Sequence, residues 1–294
     1  MDYREHRVPP PLDAFVECVW FLTTASEDVA STAGAPALPE RILPDGCIEL
    51  VCHVGEPFLA VSTTGSLTAQ PACFVVGILT SPLFVQSADG AETIGVRFRP
   101  GGAYPFFPCP IAAFTDGFVC LDDVWGPAAR QLWNELAAAG SDAARVGTIS
   151  LALLERLRHA DRDRITTAAI GALVATAGRA RIEAIARRVG VTPRHLQRRF
   201  RDRVGVSPKV LARILRFQNT LRRRTSAAGA SGTAIDWVRV AVECGYSDQS
   251  HLIHDYAVFA GETPASLIAA ESELSAYFTA PQRLAALFGE RRYG

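Results

Sequence analysis

A dense run of arginine marks the segment from 179 to 224. Fifteen basic residues lie there against two acidic residues, Glu183 and Asp202, and fourteen of the fifteen are arginine. The planar guanidinium group binds phosphate oxygens and the edge of guanine through paired hydrogen bonds. This residue type at this density predicts a surface that binds nucleic acid.

Four polar residues within the run share one face of a predicted helix, because they follow at intervals of three, one and three: Arg194, Gln197, Arg198 and Arg201. A solvated helix surface usually mixes charges of both signs, but Asp202 is the only acidic residue among five arginines between 194 and 203. We therefore expect this face to enter the major groove of DNA. Phosphate contacts are expected from Arg187, Arg199, Arg201 and Lys209.

A helix–turn–helix unit would position this face. Residues 182–189 carry apolar side chains at helical spacing, and Gly190 follows where a left-handed turn would end the helix. Thr192 can cap a second helix that has Pro193 at its first position. That second helix would bury Leu196, Phe200 and Val204.

The same pattern recurs further along the chain. A long helix is predicted from Ser207 to about Arg224, and a short apolar helix between 235 and 242 then leads to a turn at Gly245. Ser247 or Asp248 can cap the next helix, which would bury Leu252, Tyr256 and Phe259. The C-terminal half is therefore predicted to be all-α, with two helix–turn–helix units joined by a long helix.

These segments resemble the DNA-binding domain of AraC/XylS-type transcription regulators. The resemblance covers about 166–270 and is carried by residues 182–186, 190–200, 205–208, 245–252 and 261–264. It implies two recognition helices in successive major-groove segments of double-stranded promoter DNA, with RNA polymerase as a further partner if the protein activates transcription. It places the base-reading positions at Arg194, Gln197 and Arg198 in the first helix and at Ser250, Ile253 and His254 in the second.

The second recognition helix departs from the family pattern. The family commonly has arginine or lysine near its middle and end, whereas this chain has His254, Asp255, Ala257 and Val258. We therefore expect the first unit to supply most of the affinity for DNA.

The N-terminal half alternates apolar and polar residues as β-strands do. Residues 93–99 place Ile94, Val96 and Phe98 on one face, and residues 47–54 alternate in the same way. Several such segments between about 38 and 100 predict a small cupin-like β-barrel or a sandwich. Two amphipathic helices follow, which pack on this β-domain, pair across a homodimer, or do both. Residues 44–50 and 95–102 also resemble an uncharacterised β-rich sensor domain that precedes such DNA-binding modules.

Residues that could contact a ligand are few in this half. Glu49 and His53 share a strand face, but a cupin metal site usually needs three or more ligands and His6 is the only other histidine before 159. We expect no metal and no cofactor. Arg97 and Arg99 share a face that meets either an anionic ligand or solvent. The candidate pocket for a small-molecule effector comprises Trp20, Glu49, His53, Arg97 and Phe106.

The chain of 294 residues has zero net charge, but residues 1–164 carry −9 and residues 165–294 carry +9. Seven cysteines without CxxC spacing favour reduced thiols over a disulfide framework. The segment from Met1 to His6 lacks the apolar core of a secretory signal, and no apolar run approaches the length of a membrane span. We expect a cytoplasmic protein that does not associate with membranes.

Together these features predict an α+β protein with a β-rich sensor and dimerisation domain at 1–162, a DNA-binding domain at 165–270 and a C-terminal extension at 271–294. The predicted function is sequence-specific transcription regulation, without enzymatic activity, in response to a small molecule or another signal. One alternative is a cupin-like metal-dependent enzyme with an appended helical domain. Another is a regulator that senses oxidants or thiophilic metals through Cys47, Cys52 or Cys73.

Overall fold

The computed structural model describes residues 1–24, 39–62, 64–157, 163–231 and 235–269. The predicted extension at 271–294 lies outside these residues. Strands occupy the N-terminal part and helices the C-terminal part, which confirms the prediction of a mixed α and β protein. Within the described ranges, no helix is both long enough and apolar enough to cross a membrane.

The strands form two antiparallel sheets. Their bounds are β1 Asp2–His6, β2 Val16–Thr23, β3 Glu40–Ile42, β4 Ile48–His53, β5 Leu59–Val61, β6 Leu67–Ala69, β7 Cys73–Val76, β8 Leu83–Gln86, β9 Glu92–Phe98 and β10 Phe118–Cys120. The larger sheet has the order β1-β2-β9-β4-β7-β10 and the smaller has the order β3-β8-β5-β6. Since no pairing among the described strands joins the two sheets, a closed barrel is not confirmed.

Both faces of the larger sheet are buried. One face, which includes Ile94, Val96 and Phe98, belongs to the core shared with the helices. The other face carries Trp20 and Phe74 and packs against the smaller sheet; Gly95 lies on it because a Cβ there would fall 1.9 Å from the indole of Trp20. The alternation predicted for residues 93–99 is therefore confirmed.

Two cysteines form a disulfide between neighbouring strands. Cys52 of β4 and Cys73 of β7 are directly opposite in the register, with their Cα atoms 4.2 Å apart, and their sulfur atoms are bonded. The expectation of reduced thiols throughout is wrong for this pair. Its partners are separated by 21 residues in the sequence, so only the strand register brings them together. The free cysteines are Cys18, Cys47, Cys109, Cys120 and Cys244.

The helices follow the strands in the chain. Their bounds are α1 Leu121–Trp125, α2 Pro127–Ala138, α3 Asp142–Leu157, α4 Arg164–Ala175, α5 Ile182–Arg188, α6 Pro193–Val204, α7 Pro208–Ser231, α8 Trp237–Glu243, α9 Gln249–Phe259 and α10 Pro264–Ala269. The apolar faces of α2 and α3 join the core of the larger sheet, and the indole N–H of Trp133 donates to the carbonyl of His53 at 2.7 Å. These helices thus pack on their own β-domain, while the homodimer stays a prediction.

The helical part docks directly onto the β-rich part. The hydroxyl of Thr115 donates to the carbonyl of Gly205, at the end of α6, at 2.9 Å. The side-chain amide of Gln218 in α7 donates to the carbonyl of Pro44 at 2.7 Å. An ion pair joins Arg41 to Glu262. These contacts set α6, α7 and the turn after α9 against the β-rich part.

Candidate nucleic-acid interface and buried cavity

The first helix–turn–helix unit has the predicted turn and cap. Gly190 adopts a φ of +74°, in the left-handed region, between α5 and α6. The Thr192 side chain accepts a hydrogen bond from the backbone N–H of His195 at 3.2 Å, and Pro193 is the first residue of α6. Both sequence predictions for the start of this helix are confirmed.

Helix α6 separates an apolar face from a polar one. Leu196, Phe200 and Val204 are fully buried, as predicted. The residues expected to face DNA are all exposed: Arg194, Gln197, Arg198 and Arg201. The helix therefore presents three guanidinium groups and one amide to solvent, a set of donors that suits phosphate oxygens and base edges.

The four expected phosphate contacts differ in their surroundings. Arg187, Arg201 and Lys209 are exposed, whereas Arg199 is half-buried. The guanidinium of Arg199 donates to the ring of His195 at 2.8 Å and to the carboxylate of Asp163 at 2.9 Å. In this arrangement Arg199 holds α6 against the start of α4.

Asp163 forms the centre of this small network. Its side chain is 1% exposed and caps α4 by accepting the backbone N–H of Thr166 at 3.0 Å. Burial raises the pKa of Asp163, but hydrogen bonds from Thr166 and the charge of Arg199 outweigh it and hold the pKa below its usual value. The backbone N–H of Asp163 also donates to the hydroxyl of Tyr104 in the β-rich part, at 2.8 Å.

The second unit repeats the geometry with a different surface. Asp248 caps α9 by accepting the backbone N–H of His251 at 2.8 Å, which selects Asp248 over Ser247 as the cap. The predicted base-reading residues Ser250, Ile253 and His254 are all exposed. The helix has no arginine or lysine between Gln249 and Phe259, so its exposed face offers few charged groups to DNA.

The long helix between the two units has a length that suits DNA. Helix α7 spans 24 residues and extends beyond its predicted end near Arg224. At 1.5 Å a residue it is about 36 Å long. Successive major-groove segments on one side of a duplex lie about 34 Å apart.

A cavity of about 90 Å³ lies between the two sheets. Three of the candidate ligand residues, Trp20, Glu49 and His53, line it. Arg97 is not among the lining residues, although it donates a hydrogen bond to Glu49. Phe106 is on the other side of the larger sheet, where its ring contacts Phe98 at 5.3 Å between centroids. The strand alternation placed Glu49 and His53 on one strand face, and both line the cavity. No local signal distinguishes a core aromatic such as Phe106 from one that lines a cavity.

His53 is a neutral histidine in the wall of this cavity. One ring nitrogen lies 2.9 Å from the hydroxyl of Thr93 and the other 3.0 Å from the side-chain oxygen of Gln70. Burial lowers the pKa of His53 to about 4, although the hydrogen bond to Gln70 opposes this change. At neutral pH the imidazole therefore carries no charge.

Arg97 is buried and surrounded by carboxylates. Its three nitrogen atoms lie 3.3 Å from Glu17, 2.7 Å from Glu49 and 2.5 Å from Asp45. Arg97 is 3% exposed, so the expectation that it faces solvent is wrong, and its contact with an anionic ligand stays a prediction. Arg99 is half-exposed and donates to the backbone carbonyl of Asp13 at 3.0 Å.

One guanidinium shared by three carboxylates leaves an excess of negative charge. Burial raises the pKa of Glu49 to about 7; Arg97 opposes this change and the charge of Asp45 adds to it. Among the described residues, no group of three or more His, Cys, Asp or Glu side chains is placed to hold a metal ion. Of the candidate metal pair, Glu49 instead binds Arg97, and His53 binds Thr93 and Gln70.

The loop of residues 43–47 separates the cavity from α7. Leu43, Asp45 and Cys47 line the cavity. Pro44 accepts the hydrogen bond from Gln218, and Gly46 is so close to α7 that a Cβ on it would lie 2.9 Å from a methyl group of Leu211. Alternate residues of one loop thus contact the cavity and the long helix. The sequence does not reveal this arrangement, because it depends on contacts over more than 160 residues.

Two family models match the chain. One, a helix-turn-helix domain, matches residues 185–270, and the other, a domain of unknown function (DUF6597), matches residues 4–119. No curated protein matches the chain in sequence.

Solved structures of ToxT from Vibrio cholerae are similar to the chain. A structure from strain O395 is 10% identical with a TM-score of 0.42, over 80% of this chain and 94% of that chain. A 1.65 Å structure of ToxT is 8% identical with a TM-score of 0.45, over 92% and 98%. Wild-type ToxT of strain SCE256 with bound unsaturated fatty acid is 10% identical with a TM-score of 0.41, over 79% and 92%.

Proposed function

We propose, from the premise that residues 185–270 are an AraC-type helix–turn–helix domain, that this protein is a sequence-specific DNA-binding transcription regulator whose N-terminal part senses a small molecule. The exposed polar face of α6 is the observation that carries the DNA-binding part. In this proposal the bases are contacted from α6 by Arg194, Gln197 and Arg198 and from α9 by Ser250, Ile253 and His254. Phosphates are contacted by Arg187, Arg199, Arg201 and Lys209.

In this proposal the two functions belong to successive parts of the chain. Residues 1–162 form the sensing part and residues 165–270 the DNA-binding part. In this proposal the basic surface of residues 165–270 faces the phosphates of DNA, while residues 1–164 carry a net charge of −9. Both parts belong to one chain with direct contacts between them, so a change in one can alter the other.

Selection of bound fragments from random duplex DNA, followed by titration of the selected site at several salt concentrations, tests this proposal. We expect one enriched motif and an affinity that falls linearly with the logarithm of the salt concentration. An affinity that does not depend on salt, or the absence of any enriched motif, would contradict sequence-specific binding through α6.

The sensing part of the proposal rests on the loop of residues 43–47. A ligand in the cavity would contact Leu43, Asp45 and Cys47, while Pro44 and Gly46 contact α7. The backbone at Gly46 packs closely on α7, since a Cβ there would lie 2.9 Å from a methyl group of Leu211, so a shift of the loop would press on that side chain. We infer that occupancy of the cavity biases the position of α7, the helix that joins the two DNA-binding units, and thereby the affinity for DNA.

A cavity-filling substitution tests this coupling without knowledge of the ligand. Leu83→Trp would occupy the cavity from β8, opposite Ile42 of β3 and outside the loop, and we expect it to change DNA affinity several-fold. Gln218→Met, which removes the hydrogen bond to Pro44 while keeping the side-chain length, should suppress most of that change in the double variant. The matched control is Leu151→Trp, because Leu151 is 71% exposed on α3 and does not line the cavity.

Two results would contradict the coupling. One is a folded Leu83→Trp protein whose DNA affinity equals that of the wild type. The other is an equal effect of Leu83→Trp with and without Gln218→Met, which would place the route of transmission elsewhere. The alternative of a metal-dependent enzyme has no supporting arrangement among the described residues, since Glu49 and His53 already bind protein groups.

A further inference from the structure

The chemistry of the cavity between the two sheets restricts what it can bind. Taking the sensing role of this cavity from the proposed function, we infer that its ligand is a small apolar molecule that carries a protonated amine, and that carboxylates and other anions are excluded. The inference rests on the side chains that form the walls and on the distribution of charge at one end.

The walls of the cavity favour an apolar body. Four aromatic rings line it, those of Trp20, Phe58, Phe74 and Phe118, and aliphatic side chains from both sheets complete the surface. A charged or strongly polar molecule would lose its hydration in such a space without compensation. An aromatic or branched apolar group would instead gain contacts on several sides.

The ionisable groups that line the cavity are acidic or neutral. Asp45 and Glu49 supply carboxyl groups, and His53 is uncharged at neutral pH. No lysine or arginine is among the lining residues in the part of the chain that the structure describes. An anion that entered would therefore meet carboxyl groups without a cation to pair with.

Arg97 does not change this balance. Each of its three nitrogen atoms donates to a different carboxylate, Glu17, Asp45 or Glu49, and Arg97 is not among the residues that line the cavity. The guanidinium carries one positive charge against Glu17, Asp45 and a Glu49 carboxyl group that is about half ionised at neutral pH, so the acidic end of the cavity keeps an excess of negative charge. A ligand ammonium group would offset it.

Asp45 and Glu49 can accept further hydrogen bonds in their present positions. Each carboxylate oxygen has two lone pairs, and the oxygen of Asp45 that binds Arg97 and the one that accepts the backbone N–H of Cys47 each use one. An ammonium group at this end would form charge-assisted hydrogen bonds and lie within reach of the aromatic faces. It would also contact Asp45, a member of the loop 43–47 that touches α7.

Three matched compounds test the charge preference: 2-phenylethylamine, 2-phenylethanol and phenylacetate, which share a ring and differ in charge. Calorimetric titration of the full chain at neutral pH should show the amine binding most tightly, the alcohol several-fold more weakly and phenylacetate not at all. Glu49→Gln should weaken binding of the amine and leave binding of the alcohol unchanged. Asp123→Asn, the same change at an exposed residue that does not line the cavity, should affect neither.

The wild-type comparison holds even where Glu49→Gln fails to fold, and Asp45→Asn provides a second variant. Binding of phenylacetate as tight as that of the amine would overturn the inference, as would equal binding of all three compounds or no binding of any at millimolar concentration. DNA titration of the same preparation distinguishes failure of the ligand assignment from failure of the proposed DNA-binding function. Salt-sensitive DNA binding without an amine preference overturns only the ligand assignment, whereas loss of DNA binding overturns the proposed function.

Discussion

Asp255 of α9 and Arg213 of α7 form a buried ion pair, in which two guanidinium nitrogens lie 2.7 and 3.0 Å from the same carboxylate oxygen. Asp255 is 0% exposed although it follows His254, which is exposed and predicted to read a base. Its carboxylate therefore fixes α9 to the long helix and does not face DNA. Asp255 therefore adds no negative charge to the exposed face of α9, which carries neither arginine nor lysine.

Replacement of Asp255 should destabilise the protein. Asp255→Asn leaves Arg213 without its counter-ion, and we expect the free energy of unfolding to fall by about 2–3 kcal/mol. Chemical denaturation measures the change. Asp202→Asn, the same substitution at an exposed position of α6, should stay within about 0.5 kcal/mol of the wild type. Equal effects of the two substitutions would show that the pair does not anchor α9.

The two recognition helices should contribute unequally to DNA affinity. Arg198→Ala is expected to cost about 1–3 kcal/mol at its target base if it contacts guanine through two hydrogen bonds. His254→Ala should cost clearly less, because α9 has no arginine or lysine to support a strong contact. Fluorescence anisotropy with the selected site gives both values, and Arg130→Ala, at an exposed arginine of α2, is the control. Equal losses for the two helices would refute the asymmetry.

Arg199 and Arg201 should differ in their contribution to the stability of the protein, while both contribute to phosphate binding. Arg201 is exposed, so Arg201→Ala should reduce the slope of affinity against salt by about 1 and leave the unfolding free energy almost unchanged. Arg199→Ala should also destabilise the protein by about 1–2 kcal/mol, because Asp163 is 1% exposed and loses a charged partner. Unfolding curves of both variants measure the stability change, and titrations at several salt concentrations measure the slope. Two variants of equal stability would mean that the Asp163 pair contributes nothing.

The carboxyl group of Glu49 should produce a specific pH dependence of stability. Its pKa is raised by burial from an ordinary value of 4.5 to about 7. Between these values the folded protein retains a proton that the unfolded chain has released, so the contribution of Glu49 to the unfolding free energy falls as the pH rises through this window. The decrease should total up to about 3 kcal/mol.

Comparison of the wild type with Glu49→Gln isolates this effect. The difference in unfolding free energy, wild type minus variant, should decline between pH 4.5 and about 7. His53 acts in the opposite direction, since its pKa is lowered from 6.5 to about 4 and its contribution is lost as the pH falls. Both proteins contain His53, so its effect cancels in the difference. A constant difference across the window would show that Glu49 titrates as an exposed carboxyl does.

The sequence predicts local features of this molecule well. The turn at Gly190, the cap at Thr192 and the buried face of α6 depend on spacings within about fifteen residues, and all are confirmed. The alternating faces of residues 93–99 are confirmed for the same reason. Each of these features follows from the period of a helix or a strand.

Features that depend on distant residues were not predictable from spacing. The alternation places Arg97 and Glu49 on the inner faces of β9 and β4, but the register that makes them cross-strand neighbours is tertiary. The carboxylates of Glu17 and Asp45 arrive from other segments, and the Cys52–Cys73 bond likewise depends on register. A charged residue in the middle of an apolar strand was the available sign that Arg97 is buried and paired.

The loop between β3 and β4 has a consequence for attempts to retune this molecule. Leu43, Asp45 and Cys47 line the cavity, while Pro44 and Gly46 contact α7. A substitution in the loop would therefore alter ligand binding and DNA affinity together. Val76 and Leu83, on β7 and β8, line the cavity outside this loop. Engineering of a biosensor with new chemical selectivity should therefore begin at those two positions, with replacements that reshape the cavity without filling it, so that the contacts of the loop with α7 stay intact.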